Sequence, residues 1–341
     1  MLPSNRCLFS IRMQPLVSIL IPCFNAEQFV AQAIESALDQ TGVASEVIVV
    51  DDGSTDRSLG TIRGFDAKIR WETGPNRGAN AARNRLLELA SGRWLQYLDS
   101  DDYLRPGKIR GQVEFAAEHP DAEIICSPTV HEVCEKGEVV RREAKLPQQR
   151  DPWVMLALWQ LPQTGGSLWR RSVLERVGGW RIGQPCCQEH ELYFRLLQSS
   201  ARFAFFDECR AVYRDWNHSQ RLTQRLPQEV RAQRLLILEG VERFLWETSQ
   251  LTAVRRQAIN DVRHQIARAY WIGNPNAALG IVQQIEESDA SFCPSEDSLS
   301  PPTYRLVYRV LGFVGAQRIA DSQRKISSGL CRMTAQWLAG P

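Results

Sequence analysis

The sequence predicts an α/β fold, with a mostly parallel sheet flanked by helices and an all-helical extension after it. Three observations predict this. Branched, apolar runs alternate with helix-spaced stripes over roughly two-thirds of the chain. Those runs stop abruptly in Pro, Asp, Asn and Gly. From about Pro227 onward the apolar spacing is helical throughout.

The elements follow in order. "LVSILIP", bounded by Pro22, reads as a buried first strand. Phe29, Val30, Ala33, Ile34, Ala37 and Leu38 form a helical stripe, with Asn25 placed to cap it and Gln28 in a capping-box position. A second strand, Glu46 to Val50, stops at Asp51, Asp52, Gly53 and Ser54. "KIRWETG" reads as a third strand and "ANAARNRLLELASG" as a helix closed by Gly92. "RWLQYLDSDD" and "AEIICSP" supply a fourth and a fifth strand. In an open sheet of this kind, ligands bind beyond the carboxyl ends of the strands, where Pro22 to Asn25, Asp51 to Ser54 and Asp99 to Asp102 would gather.

At 341 residues and 43% hydrophobic, the chain can bury a full core and an appendage. Lys plus Arg number 41 against 39 for Asp plus Glu, so the net charge of +2 gives no case for a nucleic-acid partner. Nine scattered cysteines without repeated C-x-x-C spacing read as free thiols of a cytoplasmic protein. "PLVSILIPCF" follows a weakly basic leader, residues 1–13, but is about half the length of a membrane span and runs into a polar motif, so it reads as a strand and not a signal peptide.

The run "WLQYLDSDDYL" sets Asp99, Asp101 and Asp102 at the tip of a hydrophobic strand. Close carboxylates raise one another's pKa unless a cation sits between them, so a divalent metal is the chemical reading and an acidic strand-end turn the plain one.

"VSILIPCFN", "VIVVDDGSTD", "NRGANAARN", "WLQYLDSDD", "LWRRSVLERVGGW" and "QEHELYFRLL" stand in the order and approximate spacing of family 2 glycosyltransferases, which this chain resembles over residues 14 to 224. The resemblance implies the GT-A fold, with a Rossmann-like sheet, a nucleotide-sugar half at 14–128 and an acceptor half at 129–224, and the helical apolar spacing beyond it reads as an extension at 225–341. The resemblance also implies a nucleotide-diphosphate sugar donor, Mn²⁺ or Mg²⁺, and transfer with inversion to a carbohydrate or lipid-linked hydroxyl. By the same resemblance Asp101 is a metal ligand, Asp99 lies near the ribose, and Asp102 is a second ligand or an orienting neighbour. Asp52 accepts from the base, Pro22, Phe24 and Asn25 line the nucleotide pocket, and Arg83 pairs with the aspartates or reaches the diphosphate. A plain helix-surface arginine is the other reading of Arg83.

Inversion needs a base for the acceptor hydroxyl. In the family it is commonly the Asp of an "ED" pair; here Gln188 replaces the Glu and Glu189 replaces the Asp, one methylene longer. His190 is the rival, although adjacent helical residues point about 100° apart. Glu191 supports the helix or pairs with Arg195. Gly165 and Gly166 resemble an acceptor-side segment, or are a plain turn. Arg214 and His218 fall in a segment that resembles a diphosphate clamp, with Trp216 at the usual histidine position; a surface role is the alternative for Arg214.

The stretch "ESDASFCPSEDSLSPPT" reads as a linker or exposed loop. After it, Tyr304 to Leu338 carries six Arg and Lys against the single acid Asp321, so this tail either lies on an anionic membrane surface or packs on the body with a solvated basic face. Rival functions have weaker support. A haloacid-type phosphatase wants Thr or Val where Tyr103 stands, and a dinucleotide site wants glycines that "PCFNAEQF" lacks. A fold-sharing binding protein without catalysis draws only on the replacement of Asp by Glu at Glu189.

Overall fold

A computed structural model describes residues 16–135, 137–215 and 227–338, with side chains as far as 324. The leader at 1–13, Trp216 and His218 lie outside the described residues. Two compact units result, residues 1–150 with 161–226, and residues 151–160 with 227–341.

The first unit opens with β1 (Val17–Cys23), α1 (Val30–Leu38), β2 (Ser45–Asp51), α2 (Ser58–Arg63), β3 (Arg70–Thr73), α3 (Ala79–Leu89) and β4 (Trp94–Tyr97). The short β5 (Tyr103–Leu104), then α4 (Lys108–Glu118), β6 (Ile124–Cys126), β7 (Thr129–Glu135) and β8 (Glu138–Glu143) follow. Helix α5 (Pro152–Ala157) departs to the second unit. The chain then returns as β9 (Ser167–Arg170), α6 (Arg171–Arg176), α7 (Gln188–Gln198), β10 (Phe203–Phe205) and β11 (Ala211–Asp215).

Among the described residues the main sheet has seven strands in the order β10, β6, β9, β4, β1, β2, β3. Strand β1 is parallel to both β2 and β4 and is flanked on each side, which explains why Val17, Ile19, Leu20 and Ile21 are fully buried. Pro22 is tolerated in so central a strand because it lies beyond the last β4 rung, Leu20 opposite Tyr97. Strand β9 runs antiparallel to both β4 and β6, so the sheet is mixed. A second sheet has the order β5, β11, β7, β8.

The register brings the strand tips level. Cys23 stands opposite Asp51, and the Leu98 amide still donates to Leu20 O at 2.9 Å before the chain turns into Asp99. The polar tips of β1, β2 and β4 therefore share one sheet edge.

Asn25 does not cap α1. Its φ is +50°, the helix begins at Val30, and the Asn25 side chain accepts from the Thr55 amide at 2.8 Å. The loops after β1 and β2 lace together reciprocally: the amides of Asn25, Ala26 and Glu27 donate to Ser54, Ser58 and Asp56, and the Arg57 amide donates back to Glu27. Much of the polarity of "NAEQ" and "STDRS" thus satisfies backbone that lies outside regular structure.

The second unit is helical: α5, α8 (Pro227–Glu247), α9 (Ala253–Tyr270), α10 (Pro275–Ser288) and α11 (Pro302–Leu338), the last broken at Gly312. Asp151 caps α5 by accepting from the Trp153 amide and also pairs with Arg255 at 2.8 Å. Trp153 stacks on Phe244 at 5.4 Å between ring centroids. The stretch read as a linker is in fact packed: Ser298 is fully buried, and buried Asp261 accepts from both the amide and the hydroxyl of Ser295. Ser295 thus serves a buried carboxylate, a role that composition does not distinguish from that of a solvated loop. Among the described residues no helix is long and apolar enough to cross a membrane.

Candidate active site

The tips of β1, β2 and β4 and the start of α3 enclose an open cavity of about 580 Å³. Pro22, Phe24, Asn25, Asp52, Arg83, Asp99, Asp101 and Arg214 all line it. Phe24 is 49% exposed, an apolar ring held out at the end of an otherwise buried strand and suited to a flat base. Cys23 also lines the cavity, but burial pushes its thiol up to about 11, so it is not a thiolate at neutral pH.

Asp52 does more than project into this space. Its Oδ1 accepts from the Arg77 amide and its Oδ2 from the Gly78 amide, both at 2.8 Å. Gly78 is the residue before α3, so Asp52 fixes the turn that leads into this helix and stands near its positive end. Each oxygen keeps a second lone pair. The 74–76 loop can approach this closely because of Gly53, where φ is +76° and a Cβ would lie 2.7 Å from the Asn76 nitrogen. Asp51 turns the other way and accepts from Thr73 Oγ1 at 2.6 Å.

The three carboxylates after β4 have three different environments. Asp99 Oδ1 pairs with Arg83 Nη2 at 2.8 Å. Asp101 is exposed in the cavity. Asp102 is buried and its Oδ1 accepts from the Arg214 amide at 2.9 Å, so it holds the turn to β11 and does not line the cavity.

Arg83 is not a surface residue; it is 6% exposed, with its guanidinium 4.7 Å from the centre of the Trp180 ring. Besides Asp99, it donates through Nη1 to Gln188 Oε1 at 2.6 Å and to Asn80 Oδ1 at 3.3 Å. Burial by itself would lower its pKa, but the carboxylates of Asp99 and Glu189 more than offset this and raise it. One buried cation therefore links the aspartate turn to the first turn of α7.

That first turn carries Glu189, whose Oε1 accepts from Thr164 Oγ1 at 2.7 Å. Helix α7 is fixed there by Tyr193, whose hydroxyl donates to Pro162 O at 2.9 Å, and by Glu191, which takes a two-pronged pair from Arg195 at 2.8 Å and a contact from Arg181 at 3.1 Å. The His190 ring lies edge-on to Tyr193 at 6.4 Å. Neither Glu189 nor His190 lines the 580 Å³ cavity.

Gly165 and Gly166 are buried. A Cβ on Gly166 would come within 2.6 Å of Ser127 O, so this glycine allows the chain itself to pass close rather than admitting a ligand. Arg214 is likewise buried and not a surface side chain. It sits 4.6 Å from the Tyr103 ring centre, donates to Glu132, to Gln32 and to Asp101 O, and so braces the Asp101 turn.

Sequence reading passed over Asn76, Gly78 and Ala79, which bring the N-terminal end of α3 to the cavity wall. The glycine ahead of that helix, in "NRGANAARN", was the available signal.

Among the described residues no three His, Cys, Asp or Glu side chains converge as a closed metal cage. A Mg²⁺-type site needs none, since one or two carboxylates and donor phosphate oxygens suffice. Exposed Asp101 beside Asp99 fits that donor set.

Residues 18–178 match the model of glycosyl transferase family 2. Over this segment the chain is similar to glycosyl transferase family 2. The family 2 segment holds the aspartate turn, Arg83 and the Thr164–Gly166 turn, and ends ahead of Glu189. The chain is 40% identical over 102 residues to the hyaluronan synthase of Pasteurella multocida, a match covering 29% of this chain and 10% of that one. The chain spans less than half the length of the curated relatives it matches. Residues 1–349 of S. aureus TarS, in a structure with UDP-GlcNAc, superpose with a TM-score of 0.62 at 16% identity, covering 92% of both chains. The mannosyltransferase PcManGT from Pyrobaculum calidifontis, in complex with GDP-Man and Mn²⁺, superposes with a TM-score of 0.51 at 15% identity, covering 92% of this chain and 88% of that one. The fold is thus the GT-A fold with C-terminal helices.

Proposed function

We propose that this chain moves a sugar from a nucleotide-diphosphate donor, a UDP-sugar, to a hydroxyl of a carbohydrate or lipid-linked acceptor, with inversion, in the synthesis of a polysaccharide, glycolipid or other cell-surface glycan. The observation that carries this reading is the convergence of Phe24, Asp52, Asp99 and Asp101 on one cavity, joined through Arg83 to the turn that bears Glu189. Phe24 and Pro22 flank the base, and the spare lone pairs of Asp52 take its N–H. Asp101, with Asp99 beside it, holds Mn²⁺ or Mg²⁺, which supplies positive charge against the departing diphosphate. Arg83 holds Asp99 in place through their 2.8 Å pair. Glu189 takes the acceptor hydroxyl proton as the oxygen bonds to the sugar C1, while the C1–O bond to phosphate breaks and the electron pair leaves with the nucleoside diphosphate.

Glu189→Gln tests the base, because it keeps size and the Thr164 contact but removes the proton acceptor. The expected result is donor binding within a factor of about two and turnover lowered at least about 100-fold. Turnover unchanged in this variant would remove Glu189 from the role, and a wild type that binds UDP-sugars without turning any over would favour the non-catalytic reading.

A further inference from the structure

The helical unit has an apolar face that its own core does not use. In the turns of α11 before Gly312, Tyr304 and Tyr308 face inward, their rings 5.6 and 5.3 Å from that of buried His264. At 100° per residue, Leu306 and Val310 lie on the opposite side of the helix. They are 64% and 76% exposed. Outward helix faces of soluble proteins are ordinarily polar, so this helix is inverted over these turns.

Charge borders the stripe. Arg305 and Arg309 run along one edge of Leu306 and Val310 at the spacing that makes helical neighbours. Arg305 pairs with Glu296 at 3.3 Å and Arg324 with Asp321 at 2.7 Å, whereas exposed Arg309 and Arg318 have no carboxylate partner among the described residues.

We propose that this face docks on an anionic lipid bilayer, with Leu306 and Val310 in the boundary between headgroups and acyl chains and Arg309 against lipid phosphates. A second copy of the chain fits less well, because a two-fold interface would set this arginine-edged stripe against its own like charge. The anionic cytoplasmic leaflet is the surface of this chemistry, and the docking stands independently of the sugar transfer.

The test is co-sedimentation of the full chain with phosphatidylcholine vesicles made with and without phosphatidylglycerol, at low and high salt. Binding is expected only with phosphatidylglycerol and is expected to weaken with salt. Arg309→Ala should weaken it about fivefold, and the double variant Leu306→Asp, Val310→Asp at least about tenfold. Circular-dichroism melts of these variants should match wild type, since the positions are exposed. No binding by wild type, undiminished binding by the Leu306→Asp, Val310→Asp protein, or a dimer that this variant abolishes in place of vesicle binding would each overturn the proposal.

Discussion

Truncating Arg83 to alanine tests the link between the aspartate turn and the base-bearing helix. The change removes the 2.8 Å pair with Asp99, the 2.6 Å bond to Gln188 and the contact with the Trp180 ring. Breaking a buried pair costs about 3–5 kcal/mol, and the low end applies because the Asp99 side chain keeps 28% of its exposure and can rehydrate through the cavity. The lost bond to Gln188 contributes about 1 kcal/mol more. A total near 4 kcal/mol should lower the midpoint of thermal unfolding by roughly 10 °C for a unit of this size. Gln188→Ala alone should cost about 1 kcal/mol, and the double variant should be less destabilised than the two single changes together by about that amount. Arg85→Ala is the control on the same helix, since its pairs with Glu72 and Glu88 are solvent-exposed, and its melt should match wild type. If Arg83→Ala melts like Arg85→Ala, or if the Arg83 and Gln188 effects add fully, the buried bridge is not what holds these two turns together.

Other outcomes follow from the same geometry. Burial, then the nearby Arg268, pushes the His264 pKa down from 6.5 to about 3. The unfolded chain therefore binds a proton in the window between those values that the folded chain refuses, and stability falls with pH by about 1.4 kcal/mol per unit below 6.5. Urea titrations at pH 7 and pH 5 should differ by roughly 2 kcal/mol from this group, and His264→Phe should flatten that slope; an unchanged slope would show that the ring is already charged in the fold. Gly166→Ala should cost at least about 2 kcal/mol, because its Cβ would press on Ser127 O and on Pro162 Cβ at 2.8 Å. Gly165→Ala should stay within about 0.5 kcal/mol, since its Cβ would meet Ala211 Cβ at an ordinary 3.7 Å. Equal effects at the two glycines in urea denaturation would contradict the close backbone passage.

The sheet was legible because its strands are runs of branched residues cut off by Asp, Asn and Gly, a signal that is local in sequence. That β1, β2 and β4 end on one edge follows from their parallel order. What pairs across long separations was not legible. Nothing in "SLWR" marks β9 as the antiparallel strand between β4 and β6. Asn25 has the composition of a helix cap but is spent on the Thr55 amide, a partner 30 residues away. "DSDD" shows three equivalent acids, and only the return of β11 beside β5 turns Asp102 inward to the Arg214 amide. Arg214 read equally well as a surface or a phosphate-binding residue until Glu132, Tyr103 and Gln32 surrounded it. The departure at Gln188 was visible, but its partner, 105 residues earlier in the chain, was not.

Calorimetric titration of UDP, dTDP and GDP into the protein, with Mn²⁺ or with EDTA, on wild type and Asp101→Ala, bears most directly on the central proposal. UDP should bind wild type in Mn²⁺ and lose most of its affinity both in EDTA and in Asp101→Ala, while dTDP and GDP bind more weakly. UDP binding that is indifferent to both EDTA and Asp101, or no binding of any of the three nucleotides, would contradict a metal-assisted nucleotide-sugar site at the tips of β1, β2 and β4.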